Sequence, residues 1–332
     1  MQPMSVRERF HACMNFEPVD HLPMIEWAVW WDKTIDRWSS EGLSVTDRYE
    51  LYRHFGLDMY HQLWLNPQDH ECPQPESHGA GILTSTEDYE RLLPHLFPSL
   101  MADVEELKRL GEQQARGEVV VWLTINGFFW FPRTLFGIEN QLFAFYDHPE
   151  LMHRMNQDLS EWILRTVKDV RKYCELDFVT FAEDMSYNHG PMISRELFDE
   201  FMLPYYRQVL PDIQNAGTFA IVDSDGDITE PAGWFRDAGV DGMLPLERQS
   251  GVDIDVMQSK YPDMRFIGHF DKMTMPEGED AMRAEFERLL PAARRGGFLI
   301  SVDHQTPPSV SLEQYETYLK LFREFAERVS LA

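Results

Sequence analysis

Cysteine is scarce in this chain: Cys13, Cys72 and Cys174 are the three among 332 residues, and no two form a Cys-x-x-Cys pair. That spacing argues against a disulfide framework and a thiolate metal cluster, and for a reducing compartment. Basic residues are few as well. Lys and Arg number 30 against 56 Asp and Glu, a formal net charge of −26. Nucleic acid and anionic membranes are poor partners for such a chain, because neutralising phosphates takes clustered Lys and Arg. No run approaches the ~20 apolar residues of a membrane span. The start, MQPMSVRERF, carries charge where a signal peptide needs an apolar core. The cytoplasm is the expected location. GxGxxG and P-loop strings are missing, so no nucleotide cofactor is expected; without GxSxG, or a Cys at a strand end, neither is a Ser or Cys nucleophile. No Pro/Gly/Ser linker or low-complexity tract divides the chain. Residues 1–332 therefore read as one domain, with 1–117 holding the first strands and a cap, and 118–332 regular β/α repeats.

What is present is a repeated pattern: an apolar run, acidic or imidazole side chains at its C-terminal end, then a helix. The segment FLISVDHQTP, 298–307, is the plainest case. Continuous apolar runs of this kind are buried parallel strands, whereas half-exposed strands alternate. Eight such strands are predicted, at 22–27, 55–64, 119–127, 178–187, 219–227, 240–247, 265–272 and 298–304. Ser5, with Glu8 three residues on, predicts a capped first helix. Further helices are expected over 100–117, 132–146, 149–173, from Ser194 to about 217 with a break at Pro204, near 231–238, 252–260, 276–295 and 312–329. Residues 68–85, rich in Pro, Gly, His and Glu, read as a loop. Strands separated by helices pair in parallel through right-handed crossovers, and eight of them predict a closed (β/α)8 barrel, with an N-terminal helical and aromatic elaboration around Trp30, Trp31, Trp38 and Trp64. Hydrophobic residues, at 43%, suffice for a core that large.

Active sites of such barrels lie at the C-terminal ends of the strands. Those ends carry Glu26, Asn126, Glu183-Asp184, Asp223 and Asp225, Glu247, His269, Asp271-Lys272 and Asp303-His304, with Tyr187 closing the fourth run. Carboxylates converging on one mouth raise each other's pKa or recruit a cation. The expected ligand is a metal ion or a cationic or polyhydroxylated substrate. Asp223-Ser224-Asp225 places two carboxylates on one face by the period of two, and Gly226 lets the chain turn after them. With His304 they form a candidate site for Zn2+ or a harder divalent ion. The DSDGD string lacks the downstream Glu of a calcium loop and follows a strand, which rules that loop out. Trp27 and Trp130 are candidate contacts for a flat ligand, and Arg133 for a substrate carboxylate.

The strings RERFHACMNFEPVDHLP and WFPRTLFGIENQLFAFYDHPEL, the Gly268-His269-Phe270-Asp271-Lys272 strand end, and the closing strand before TPPSVSLEQY resemble the uroporphyrinogen decarboxylase superfamily. Nearly the whole chain takes part. The superfamily also contains corrinoid-dependent methyltransferases that pass methyl groups to coenzyme M, and its members fold as (β/α)8 barrels. True decarboxylases carry an Arg-Gln-Ala-Gly-Arg motif after the first strand; here the stretch is Glu26-Trp27-Ala28-Val29-Trp30. Their catalytic Asp lies in a Phe-Ser-Asp-Ile segment, against Tyr60-His61-Gln62-Leu63 here, with Asp58 upstream. An acidic mouth would also repel the eight carboxylates of uroporphyrinogen. The methyltransferase branch binds zinc through a His-x-Cys and a last-strand Cys, and this chain has Asp223-x-Asp225 and Asp303-His304 in those regions.

The resemblance therefore implies metal-assisted methyl transfer on a small polar substrate, or to or from a corrinoid protein. Asp223, Asp225 and His304 would hold the metal, and Glu183, Asp184 or Asp303 would act as acid or base. One alternative is a decarboxylase or lyase on another carboxylic acid, relying on Arg133 and Lys272. The other is an inert binding barrel. Barrels of this kind commonly form homodimers.

Overall fold

The computed structural model describes residues 2–99 and 102–329. Seven parallel strands form one curled sheet: β1 Tyr60–Trp64, β2 Val120–Asn126, β3 Phe178–Ala182, β6 Phe219–Asp223, β7 Gly242–Leu244, β8 Arg265–Phe270 and β9 Phe298–Val302, hydrogen-bonded in that order. Between β3 and β6 a two-residue antiparallel hairpin, β4 Ser186–Tyr187 and β5 Gly190–Pro191, rises from the sheet. β2 and β9 are buried at every residue, as mostly apolar strands between helices and barrel interior are.

The eighth expected strand, 22–27, is not one. Pro23 has no N–H to give a ladder. Isolated hydrogen bonds, most of them through side chains, tie the segment across the opening between β9 and β1 instead. Trp27 donates its backbone N–H to Ser301 Oγ at 3.1 Å and its indole Nε1 to the Val302 carbonyl at 2.6 Å. On the other flank Asp58 N–H meets the Met24 carbonyl at 2.9 Å, and Tyr60 OH reaches the Trp27 carbonyl at 3.2 Å. The fold is thus a (β/α) barrel of seven ladder-paired strands, closed by a side-chain-bonded eighth segment.

The strands also stop earlier than their apolar runs suggest. Asp184 and Leu246, just past β3 and β7, adopt positive φ (41° and 57°), and His269 does so within β8 (71°), one residue before its end at Phe270. The polar ends therefore belong to loops just beyond β3 and β7, and to the last turn of β8. Gly137, at φ 84°, splits the predicted 132–146 helix into Trp130–Phe136 and Ile138–Asp147. The helix expected from Ser194 breaks at Met202, into Arg195–Phe201 and Leu203–Gln214. The helix expected over 100–117 runs Val104–Ala115; residues 100–101 of that expectation lie outside the described residues. The capping box of Ser5 and Glu8 is present on the helix Val6–Met14.

That first helix closes the bottom of the barrel. Phe10 packs on Phe178 and Phe219, while Arg7 and His11 both reach Asp177, whose other oxygen accepts Val121 N–H at 2.7 Å. The aromatic elaboration is a cluster of Trp30, Trp38, Tyr52 and Phe55 packed on Tyr315 of the final helix, Leu312–Glu327. No helix among the described residues is long and apolar enough to cross a membrane.

Candidate active site

The period of two places Trp122 and Thr124 inside the barrel together with Tyr60, Gln62 and Thr180. Trp122 donates its indole N–H to Thr180 Oγ1 at 2.7 Å, and Gln62 donates to Thr124 Oγ1 at 2.8 Å. Arg48, from the helix Arg48–Phe55, donates to Gln62 Oε1 at 2.9 Å. These bonds fix the floor of a cavity of about 250 Å3 at the C-terminal ends of the strands. Its lining includes Trp27, Trp64, His304, Asp184, Asp223 and Asp225.

The three aspartates each offer a carboxylate oxygen, all within 4.8 Å of one another. Loop geometry holds them so. Asp225 N–H donates to Asp184 Oδ1 at 3.1 Å. Gly226, at φ 86°, lets the chain pass against the hairpin where a Cβ would stand 2.7 Å from backbone atoms of Ser186 and Tyr187. Its N–H is taken by Glu247 Oε2 at 3.0 Å, which Ser250 Oγ also reaches. Burial and then the neighbouring carboxylates raise all three: Asp223 well above its ordinary value, Asp225 to about 7, and Asp184 chiefly through burial. His304 Nε2 lies 3.6 Å from Asp225 Oδ2 and its ring meets Trp27 edge-on; burial pulls its pKa down. Three half-buried carboxylates thus face one space.

The expected metal set was Asp223, Asp225 and His304. The structure brings these together and adds Asp184 as the third carboxylate. The other expected residues are distributed more widely. Glu183 is fully buried behind the mouth, where it accepts the N–H groups of Phe128, Phe129 and Trp130 at 2.9, 2.7 and 3.1 Å, together with Tyr206 OH. Burial still pushes it up to about 7. Asp303 is equally buried and is held by Lys272 Nζ at 3.0 Å and by the backbone N–H of Arg248 and Lys272. Lys272 is thereby committed to Asp303 and to Gln249. Glu26 is sealed between β9 and the final helix by Ser301 Oγ, Val302 N–H and Tyr318 OH.

His269 points away from the mouth. Its Nδ1 lies 2.9 Å from the Leu246 carbonyl, and its Nε2 accepts Ile254 N–H at 3.1 Å. The positive φ at this residue turns the ring outward, and burial lowers it to about 4. Asp271 caps the short helix Lys272–Glu277. Asn126 is buried at the end of β2, and Tyr187 is half-exposed on the hairpin. Trp130 and Arg133 line a different cavity, apart from the mouth. Gln62, Trp64 and Trp122 are mouth residues that inspection of strand ends missed. Their signal was the alternation within β1 and β2, which places them on the interior face.

A parallel barrel with carboxylates gathered in a cleft at the carboxyl ends of its strands has the architecture of a barrel enzyme. Residues 81–325 match the profile of the uroporphyrinogen decarboxylase (URO-D) family, and the chain belongs to that family, whose members are enzymes. Among solved structures, a methyltransferase from Methanosarcina mazei superposes with a TM-score of 0.68 at 13% identity, covering 97% of this chain and 99% of its own. A B12-independent methionine synthase from Shewanella sp. W3-18-1, in complex with selenomethionine, reaches a TM-score of 0.44 at 13% identity, over 70% and 67% of the two chains. No curated protein sequence matches this chain.

Proposed function

We propose that this chain is a methyl-transfer enzyme of the URO-D family whose active site is the acidic mouth. The observation that carries this reading is the trio Asp184, Asp223 and Asp225, with ligand atoms within 4.8 Å of one another. Such a wall repels a polycarboxylated porphyrinogen and favours a cation. The methyltransferase name of the Methanosarcina mazei structure supports the same direction.

A thiolate-held zinc does not fit these residues. All three cysteines are buried, and none is at the mouth. Oxygen donors fit a harder divalent ion, with Asp184, Asp223 and Asp225 as ligands and His304 beside them. When bound, such an ion supplies positive charge that polarises a substrate oxygen or nitrogen. The chain's own residues do the rest. Trp27 and Trp64 give a small polar substrate an apolar wall, while Gln62, locked by Arg48 and Thr124, orients its polar end. Of the three acid/base candidates only Asp184 faces this space, where it would serve as a ligand instead; Glu183 and Asp303 have their oxygens committed to other donors. A corrinoid-carrying protein would dock on the rim, where Trp31 after the 22–27 segment, Trp64 at the end of β1, Tyr187 on the hairpin after β3 and Met273 after β8 are exposed.

The test combines metal analysis of the purified protein, thermal shift with Mg2+, Mn2+ and Zn2+, and spectrophotometry of methylcobalamin demethylation. A divalent ion should stabilise the wild type, and D225A should lose both that response and turnover. If the protein binds no divalent metal, and D225A melts and turns over like wild type, the reading is wrong.

A further inference from the structure

Next to the mouth lies a second cavity, of about 300 Å3, which shares no lining residue with the first. It opens between the 68–85 loop and the helix Trp130–Phe136, and is lined by Gln74, His78, Trp130, Arg133, Thr134 and Ile138 among others. Arg133 is its cation. One guanidinium nitrogen, Nη1, donates to the Asp184 carbonyl at 3.0 Å, and the group lies 4.9 Å over the Trp130 ring. The remaining edge, Nε and Nη2, has no hydrogen-bond partner among the described residues, and none of the ion pairs there includes Arg133. Of the other half-buried arginines, Arg9 pairs with Asp20 and Asp58 and Arg288 with Glu285, while Arg171 is held by the Asp212 and Ile213 carbonyls and Thr218 Oγ1. Arg48 is committed to Tyr60 and Gln62. At Arg133 the unpaired edge belongs to a residue that lines the cavity, so an acid from outside can reach it.

We propose that this cavity is an oxyanion subsite: a carboxylate or phosphate group of a small organic acid docks on the Nε/Nη2 edge of Arg133. A guanidinium edge grips either group through two parallel hydrogen bonds. The body of the ligand lies against Trp130 and Ile138, with Thr134 and Gln74 available for its polar atoms. The trio of aspartates keeps such an anion out of the mouth, so the two cavities sort ligand groups by sign. Asp184 joins them, with its carboxylate in the mouth and its carbonyl on Arg133. The subsite stands independently of the methyl-transfer reading.

Benzoate and phenyl phosphate are suitable probes, titrated calorimetrically at constant ionic strength with chloride as the control anion. Wild type should bind at least one of them saturably, and the stronger of the two identifies the group. R133Q should weaken binding about tenfold or more, and R133K should fall between, since Lys keeps the charge and loses the fork. In protein labelled with 15N-arginine, the Nε–H resonance missing from R133K should move with the probe. The divalent-ion response at the mouth should persist in R133K, which separates this result from a failure of the mouth. The proposal is overturned if the Arg133 resonance stays fixed, if R133Q and R133K bind like wild type, or if chloride matches both probes.

Discussion

Gly127 follows β2 directly, and a Cβ placed there would overlap the Glu183 carboxylate. The glycine carries no positive φ, so Gly127→Ala tests close approach alone. Glu183 takes the N–H groups of Phe128, Phe129 and Trp130, the first turn after the strand. Hydrogen bonds to a charged acceptor contribute about 1.5–3 kcal/mol each. A displaced carboxylate that keeps one of three loses ~3–6 kcal/mol, and we expect about 4 kcal/mol. At ~2.1 cal/mol/K per residue, a chain of 332 residues unfolds with an entropy of about 0.7 kcal/mol/K, so Tm should fall by about 6 °C. Calorimetric melts of G127A, E183A and the double variant provide the assay. Because the cost of G127A runs through Glu183, it should nearly vanish in the E183A background. A G127A melt within about 1 °C of wild type, or an undiminished cost in the double variant, refutes the reasoning.

Lys272→Met should destabilise the protein by about 3 kcal/mol, because it leaves the fully buried Asp303 with backbone donors only. Denaturant titration reads that loss, and K272M/D303N should recover part of it; no recovery would mean the pair is not the cause. Glu26 gives a pH signature. Burial raises it to about 7 from an ordinary 4.5. Such a carboxyl contributes most below pH 4.5, and that contribution is lost as pH rises through about 7, roughly 3 kcal/mol in all. Gln cannot ionise, so E26Q should gain on wild type by up to that amount between pH 4.5 and 8. A relative loss of stability over the same range would show that Tyr318, Ser301 and Val302 outweigh the burial.

The barrel was legible because its strands are buried on both faces, and burial writes itself as mostly apolar runs such as 119–125 and 298–302, broken only by Thr124 and Ser301. The segment 22–27 was misread for the same reason. It is apolar because it is buried, yet Pro23 and its side-chain bonding to Ser301 and Asp58 keep it out of the ladder. At the site, the Asp-x-Asp spacing identified Asp223 and Asp225, since two residues of separation decide which face a side chain takes. What strand-end position could not convey is direction. Asp184 and His269 follow similar runs, and both adopt positive φ, yet one carboxylate enters the mouth while the other ring turns to Leu246 and Ile254. Glu183 and Asp184 are adjacent and equally acidic in sequence. The first is consumed by the turn after β2 and the second left facing open space, because N–H groups 54 residues earlier in the chain arrive at one and not at the other. Whether a carboxylate at a strand end is structural or chemical is decided by which donors the neighbouring loop brings to it, and that depends on contacts distant in sequence.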